Sequence, residues 1–227
     1  MSDLRPLFEK LSITPKDISY YEIALTHSSC NNDEDNHIRD YERLEYIGDS
    51  IIGFVSADLI YKLHPEMDQG LMSKLRSYLV CSKSLANYSR NLGLVDYIRV
   101  GHSISRDQLQ KSDKILEDVF ESLIGAIYLD LDIGEAYRVV ESFLYEPIER
   151  TGIDEIVDAK TRLQEEIQAE YRDAVQYIVT NESGPSHDRE FEVAVLFNGI
   201  TLGRGIGKSK KAAEEAAAKD ALSKRSV

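Results

Sequence analysis

The sequence has few of the features that mark secreted, disulfide-stabilised or membrane proteins. Among its 227 residues there is no tryptophan, and the only cysteines are Cys30 and Cys81. Two isolated thiols make neither a disulfide framework nor a zinc-ligand pattern. No apolar run approaches the roughly 18 residues that a membrane helix needs, and the first residues lack the basic, then apolar order of a signal peptide. We therefore expect a cytoplasmic protein without a membrane partner.

The net charge of −13 at first argues against a nucleic-acid partner. The acidic residues are, however, unevenly distributed. Residues 1–150 carry a net charge of −10, whereas residues 159–227 contain equal numbers of acidic and basic side chains. The whole-chain charge is therefore a poor guide to the C-terminal part, where basic residues are locally clustered.

The first part of the chain has the hydrophobic periodicity of helices. Predicted helices cover residues 19–27, 38–63, 69–79, 82–92, 115–129 and 133–150. Residues 101–113 are polar, which predicts a loop. We therefore expect an all-α domain over residues 1–150.

Residues 151–158 are predicted to form a linker, after which the pattern changes. A helix over 160–171 is followed by strands over 175–181, 189–197 and 200–206 and a helix over 208–222. Asn198-Gly199 between two alternating segments is a strong hairpin signal. The α-β-β-β-α order over residues 159–227 predicts a small α+β domain, a three-stranded antiparallel sheet with both helices on one face.

Two predicted helices carry acidic stripes on otherwise apolar surfaces. Glu42, Glu45 and Asp49 are three and four residues apart, and Asp118 and Glu121 repeat this spacing on the second helix. For one such helix, a solvated acidic face is the commoner explanation. Two apolar helices with matching pairs strengthen the case for a site in which the carboxylates converge, and the pattern alone leaves both explanations open.

Glycines accompany both stripes. Gly48, Gly53 and Gly125 each cost about 1 kcal/mol relative to alanine inside a helix, and we expect close approach of two backbones in return. Converging carboxylates repel one another unless a cation lies between them. Hard oxygen ligands favour Mg²⁺, with Mn²⁺ as a substitute, and such a centre suits phosphoryl chemistry.

Four segments of the first domain resemble the ribonuclease III family. The nine residues 42–50, Glu-Arg-Leu-Glu-Tyr-Ile-Gly-Asp-Ser, are similar to the family signature and are its most specific motif. Residues 25–28, residues 73–76 and the Asp118–Glu121 pair followed by Gly125 match further motifs in the family's order. The resemblance extends over almost the whole chain and includes the family's two-domain plan.

This resemblance implies roles for particular residues. Glu45, Asp49, Asp118 and Glu121 match the metal-binding carboxylates, of which we assign Asp49 and Glu121 to catalysis. Glu42 matches a supporting acidic position. Tyr46 matches an aromatic residue that packs across the family's dimer. Gln69 departs from the glutamate of many members, which concerns RNA contact or the dimer interface.

The C-terminal part resembles the double-stranded-RNA-binding domain, in which three regions contact the duplex. The residues that match those regions are Thr161, Gln164, Gln168, His187, Lys208, Lys210 and Lys211. Lysines at a helix N-terminus suit phosphate binding. Glu214 stands where many members have lysine, so we expect modest RNA affinity.

Together the two resemblances imply a homodimeric endoribonuclease that hydrolyses double-stranded RNA and has no small-molecule substrate. The expected products carry 5′-phosphate, 3′-hydroxyl and two-nucleotide 3′ overhangs, and the expected substrates are rRNA and mRNA precursors. One alternative is a non-catalytic double-stranded-RNA-binding protein, which the four intact carboxylates disfavour. Another is a helical interaction scaffold, which leaves the lysine-led final helix unexplained.

Overall fold

The computed structural model describes residues 3–32, 39–185 and 188–225. The chain divides into two compact units, Met1–Thr151 and Gly152–Val227. The division falls at the start of the segment that the sequence assigns to a linker. Among the described helices, none is both long and apolar enough to cross a membrane.

In the described part of the first unit the regular elements are helices, and one isolated bridge joins Thr26 and Arg99. Its α-helices are α1 (Arg5–Leu11), α2 (Ser19–Ala24), α3 (Glu42–Leu63), α4 (Gln69–Leu79), α5 (Ser82–Leu92), α6 (Arg106–Lys111), α7 (Asp113–Asp130) and α8 (Ile133–Arg150). Two short 3₁₀ segments, Ser28–Asn32 and Leu94–Asp96, lie between them. The predicted all-α fold of this unit is confirmed.

The helix α6 corrects the sequence prediction, which assigned residues 101–113 to a loop. Ser105 accepts a hydrogen bond from the Gln108 backbone N–H, and the Gln108 side chain accepts one from the Ser105 N–H. This reciprocal capping box stabilises a helix start. The Ser-x-x-Gln spacing of Ser105 and Gln108 is a local signal for this helix start, which the polar composition of the segment masks.

The helices α3 and α7 cross in direct backbone contact. A Cβ added at Gly48 would overlap the carbonyl oxygen of Glu121, and one at Gly125 would overlap that of Leu44. The expected close approach therefore holds at these two glycines. The prediction of a close approach is wrong for Gly53, where an added Cβ meets nothing within 4 Å.

The second unit contains the predicted α-β-β-β-α arrangement. Its elements are the short α9 (Ile153–Ile156), α10 (Ala159–Tyr171), β1 (Gln176–Ser183), β2 (Glu190–Phe197), β3 (Ile200–Gly207) and α11 (Lys210–Arg225). The strands form an antiparallel sheet in the order β1-β2-β3. Asn198 and Gly199, with φ of 49° and 79°, form the predicted hairpin turn. The fold class is confirmed, although α9 lies in the predicted linker.

Both long helices of this unit pack on one face of the sheet. Leu163 and Ile167 of α10 share a core with Val193 and Val195 of β2 and with the alanine face of α11. Added Cβ atoms at alternate positions of β3, beginning at Gly203, would overlap the backbone of α11. Small residues on both surfaces thus bring helix and strand close together.

Candidate metal centre and RNA interface

The crossing of α3 and α7 brings together carboxylates that are far apart in sequence. Glu45, Asp118 and Glu121 each offer an oxygen, and these three oxygens lie within 4.8 Å of one another. Asp118 and Glu121 are buried, with relative exposures of 5% and 6%. Glu45 is half-buried, and three carboxylates so close together, two of them buried, favour a compensating positive charge.

A single pocket in the first unit contains all of the predicted acidic residues. Its lining consists of Tyr41, Glu42, Glu45, Tyr46, Asp49, Lys114, Glu117, Asp118 and Glu121. Asp49 is exposed and lies outside the group of three converging oxygens. The pocket thus holds the two predicted stripes face to face, and the individual roles of these residues remain predictions.

Glu45 and Glu121 have raised pKa values in this pocket, caused first by burial and then by neighbouring negative charges. Burial, reinforced by Asp49 and the neighbouring glutamates, raises the pKa of Glu121 to about 8. Burial and the nearby Asp118 also raise the pKa of Glu45, against the opposing effect of Lys114. A divalent cation would offset the repulsion that adds to burial in raising these pKa values.

Two side chains that contact Asp118 were not singled out from the sequence. Tyr41 donates a hydrogen bond from its hydroxyl to Asp118 Oδ2 at 3.2 Å. Lys114 places its Nζ 2.5 Å from Asp118 Oδ1. Lys114 could have been found, because it precedes Asp118 by four residues on the same helix. Tyr41 gives no such signal, since 77 residues separate it from Asp118.

The donor set fits a divalent ion with hard oxygen ligands. Asp118 Oδ1 is buried and has no hydrogen-bond donor aligned with it, and the Lys114 ammonium is the cation that lies closest to it among the described side chains. The nearby His27 is engaged elsewhere: its Nδ1 accepts from the Ser29 backbone N–H at 2.9 Å, and its ring packs edge-on against Tyr41. These contacts give His27 a structural role beside the pocket.

On α10, the predicted RNA-binding residues differ in their surroundings. The Thr161 hydroxyl donates to Asp158 Oδ2 at 2.8 Å, and Gln164 Oε1 accepts from the Val175 backbone N–H at 3.2 Å. Gln168 is exposed. Thr161 therefore also contributes to the start of α10, and Gln164 ties α10 to the segment before β1, which the sequence pattern does not indicate.

The predicted lysines likewise lie in unequal environments, and α11 begins at Lys210 rather than at 208 as expected. Lys208, before the helix, forms ion pairs with Asp188 at 2.9 Å and Glu190 at 3.8 Å. Lys210 lies over the Phe191 ring, with its Nζ 5.8 Å from the centroid. Lys211 is exposed in the first turn of α11.

Two positions of the predicted RNA interface remain, His187 and Glu214. His187 lies outside the described residues. Glu214 stands where many family members have lysine, and its carboxylate forms an ion pair with Lys160 at 2.5 Å. Lys160 also lies over the Tyr177 ring, so Glu214 belongs to a contact between α10, α11 and the sheet.

A helical unit with carboxylates converging from two crossed helices, followed by an α-β-β-β-α unit, defines a class of metal-dependent nucleases acting on duplex RNA. The family profile described as Ribonuclease-III-like matches residues 17–148. The profile described as double-stranded RNA binding motif matches residues 159–225. The chain belongs to the ribonuclease III family, whose activity depends on a divalent metal.

Individual relatives support this assignment over most of the chain. The chain is 40% identical to Ribonuclease 3 of Onion yellows phytoplasma over 224 residues, which cover 99% of this chain and 92% of the relative. It is 38% identical to Ribonuclease 3 of Lactococcus lactis over 200 residues, covering 88% and 87%. The nuclease domain of ribonuclease III from Campylobacter jejuni matches with a TM-score of 0.59 and 28% identity, over 64% of this chain and 98% of that domain.

Proposed function

We propose that this protein hydrolyses double-stranded RNA with Mg²⁺ held by Glu45, Asp49, Asp118 and Glu121. The observation that carries the proposal is the approach of three carboxylate oxygens to within 4.8 Å in an open pocket. When bound, a divalent ion supplies charge neutralisation at the phosphodiester and activation of water. Asp49 and Glu121 orient the reacting groups, and Glu42 supports them at the pocket edge.

Digestion of a long, labelled RNA duplex tests this function directly. Cleavage should occur with Mg²⁺, persist when Mn²⁺ replaces Mg²⁺ and stop with a chelator. We propose that the products carry 5′-phosphate, 3′-hydroxyl and two-nucleotide 3′ overhangs, which end-sequencing of the fragments measures. Binding without cleavage in any divalent ion would contradict the proposal. We also propose rRNA and mRNA precursors as substrates, which accumulation of uncut precursors in a deletion strain would test.

We propose further that the protein is a homodimer through one face of α3. Tyr46, Phe54 and Tyr61 follow one another along this helix and are 79%, 57% and 70% exposed. Exposed aromatic stripes of this kind mark interaction surfaces. The Campylobacter jejuni relative, for which a region involved in dimer formation is described, points to a second copy as the partner.

Sedimentation of Phe54→Lys tests the dimer. The wild-type chain should sediment as a dimer, and a charge within the apolar stripe should shift it to monomer, because an unpaired charge is costly to bury. Tyr145→Lys is the matched control, since Tyr145 is 43% exposed on α8. Unchanged dimerisation of Phe54→Lys would place the interface elsewhere.

We propose that the second unit holds the duplex through Thr161, Gln164, Gln168, His187, Lys208, Lys210 and Lys211. Lys211 offers the sharpest test, because it is exposed in the first turn of α11, where free N–H groups also favour phosphate. Lys211→Ala should weaken duplex binding about three- to tenfold and reduce the salt dependence by about one unit of slope. Gel-shift titrations at several salt concentrations measure both.

Lys219→Ala provides the control for Lys211. Lys219 is also exposed on α11 but lies two turns further along, away from the helix N-terminus. Its replacement should leave the affinity within about twofold. Equal losses for the two variants would show that the domain attracts RNA by its general charge rather than by the first turn of α11.

A further inference from the structure

Lys114 places a cation inside the acidic pocket. Its Nζ lies 2.5 Å from Asp118 Oδ1, 3.7 Å from Glu45 Oε1 and 3.9 Å from Glu117 Oε2. The side chain of Lys114 is 69% exposed, whereas that of Asp118 is only 7% exposed. The ammonium therefore reaches the buried carboxylate from the solvent side of the pocket, and its stem is free to move away.

The ammonium and a divalent ion need the same oxygens. A Mg²⁺ ion would bind Asp118 Oδ1 at about 2.0–2.1 Å, so it would lie close to an ammonium 2.5 Å from the same oxygen, and the two cations would repel each other. Although the distance between Lys114 Nζ and Asp118 Oδ1 is short, the ammonium is not aligned to donate a hydrogen bond to this oxygen. The negative charge of Asp118 is instead balanced by the nearby Lys114 ammonium, whose charge a bound metal ion would replace.

Glu117 gives the displaced ammonium another partner. Its side chain is 17% exposed and lines the pocket, yet it lies outside the group of three converging oxygens. Lys114 and Glu117 are separated by three residues on α7, a spacing at which side chains meet. Movement of the ammonium from Asp118 towards Glu117 keeps an ion pair while it opens the metal position.

We propose that Lys114 is an intramolecular competitor of the divalent ion, occupying the metal position in the metal-free protein and lowering the affinity for metal. This inference rests on the proposed function, since it takes Glu45 and Asp118 as metal ligands. It assigns Lys114 a regulatory role at the centre, separate from the four carboxylates. The same ammonium stabilises the metal-free fold by neutralising part of the carboxylate repulsion.

Calorimetric titration of MnCl₂ into the metal-free full-length chain tests the competition without RNA. Lys114→Met removes the charge but keeps a long side chain, and it should bind Mn²⁺ about fivefold more tightly than the wild type. Lys114→Arg keeps the charge and should remain within about twofold of the wild type. Lys111→Met, on α6 outside the pocket lining, is the control for loss of a lysine.

Thermal unfolding in a chelator supplies a second readout. Lys114→Met should melt at a lower temperature than the wild type without metal, and saturating Mn²⁺ should raise its melting temperature by more than it raises that of the wild type. If Lys114→Met does not fold, Lys114→Gln is titrated in its place. Equal or weaker Mn²⁺ binding by the folded charge-neutral variant would overturn the competition. Absence of Mn²⁺ binding by both wild type and variant would instead overturn the proposed metal centre.

Discussion

Replacing Glu121 by glutamine is expected to reduce cleavage of duplex RNA by about 10³-fold or more while leaving duplex affinity nearly unchanged. Glu121 contributes a buried carboxylate to the group of three oxygens, and an amide cannot supply the negative charge that a divalent ion requires. The RNA-contacting residues that we propose lie in the second unit. Loss of cleavage and retention of binding therefore separate the two activities.

The same substitution is expected to stabilise the metal-free protein by about 1–2 kcal/mol near pH 8. The pKa of Glu121 is raised to about 8 in the fold from an ordinary value of 4.5. Between these two pH values the folded state binds more protons than the unfolded state, so the metal-free wild type loses stability as the pH rises. Glu121→Gln has no such proton to lose, and its advantage should grow with pH over this window.

Single-turnover cleavage, gel-shift affinity and denaturant unfolding in a chelator measure the three effects of Glu121→Gln. Glu149→Gln is the matched control, because Glu149 is exposed near the end of α8, and the change there should alter none of the three quantities. Cleavage by Glu121→Gln at the wild-type rate would show that the centre is misassigned. A metal-free stability that falls below that of the wild type would contradict the repulsion argument.

The helical spacing of the acidic residues could be predicted because it is a local property of the chain. Glu45 and Asp49 lie one turn apart on any helix that contains both, and the same holds for Asp118 and Glu121. Glycine inside such helices further indicated that two backbones meet, as Gly48 and Gly125 do. Spacing could not show that Asp49 lies at the exposed edge, because burial depends on how the helices cross.

Contacts across the fold account for what the sequence did not predict. Tyr41 donates to Asp118 from 77 residues away, and Gln164 accepts a backbone hydrogen bond from Val175 in the following segment. Neither contact joins residues at the spacing that brings side chains together within a helix or a strand, so the sequence pattern cannot indicate it. Lys208 shows the same limit: the basic cluster predicts phosphate binding, but it gives no sign that Lys208 forms an ion pair with Asp188, 20 residues earlier.

The largest loss of stability is expected from Gly48→Ala, which should lower the free energy of unfolding by at least about 3 kcal/mol. Alanine normally favours a helix over glycine by about 1 kcal/mol. At Gly48, however, the added methyl group would overlap the carbonyl of Glu121, and a rigid backbone cannot move aside as a flexible side chain can. The helices α3 and α7 must therefore separate or bend.

Separation of α3 and α7 would also disturb the metal centre. Glu45 lies on α3, whereas Asp118 and Glu121 lie on α7, so any widening of the crossing pulls Glu45 away from the other two carboxylates. Gly48→Ala should consequently weaken Mn²⁺ binding as well as stability. Gly125→Ala overlaps Leu44 at the same crossing and should act in the same direction, without adding its full effect in the double variant.

Gly53→Ala is the control that isolates the crossing from helix propensity. An alanine Cβ at Gly53 meets nothing within 4 Å in the same helix α3, so we expect a gain of about 0.5–1 kcal/mol. Denaturant unfolding at two protein concentrations measures the three variants and reveals any contribution from dimerisation, because only a dimer contact makes stability depend on concentration. If Gly48→Ala were as stable as Gly53→Ala, α3 and α7 would not cross in backbone contact. The geometry that holds the three carboxylates together would then need another explanation.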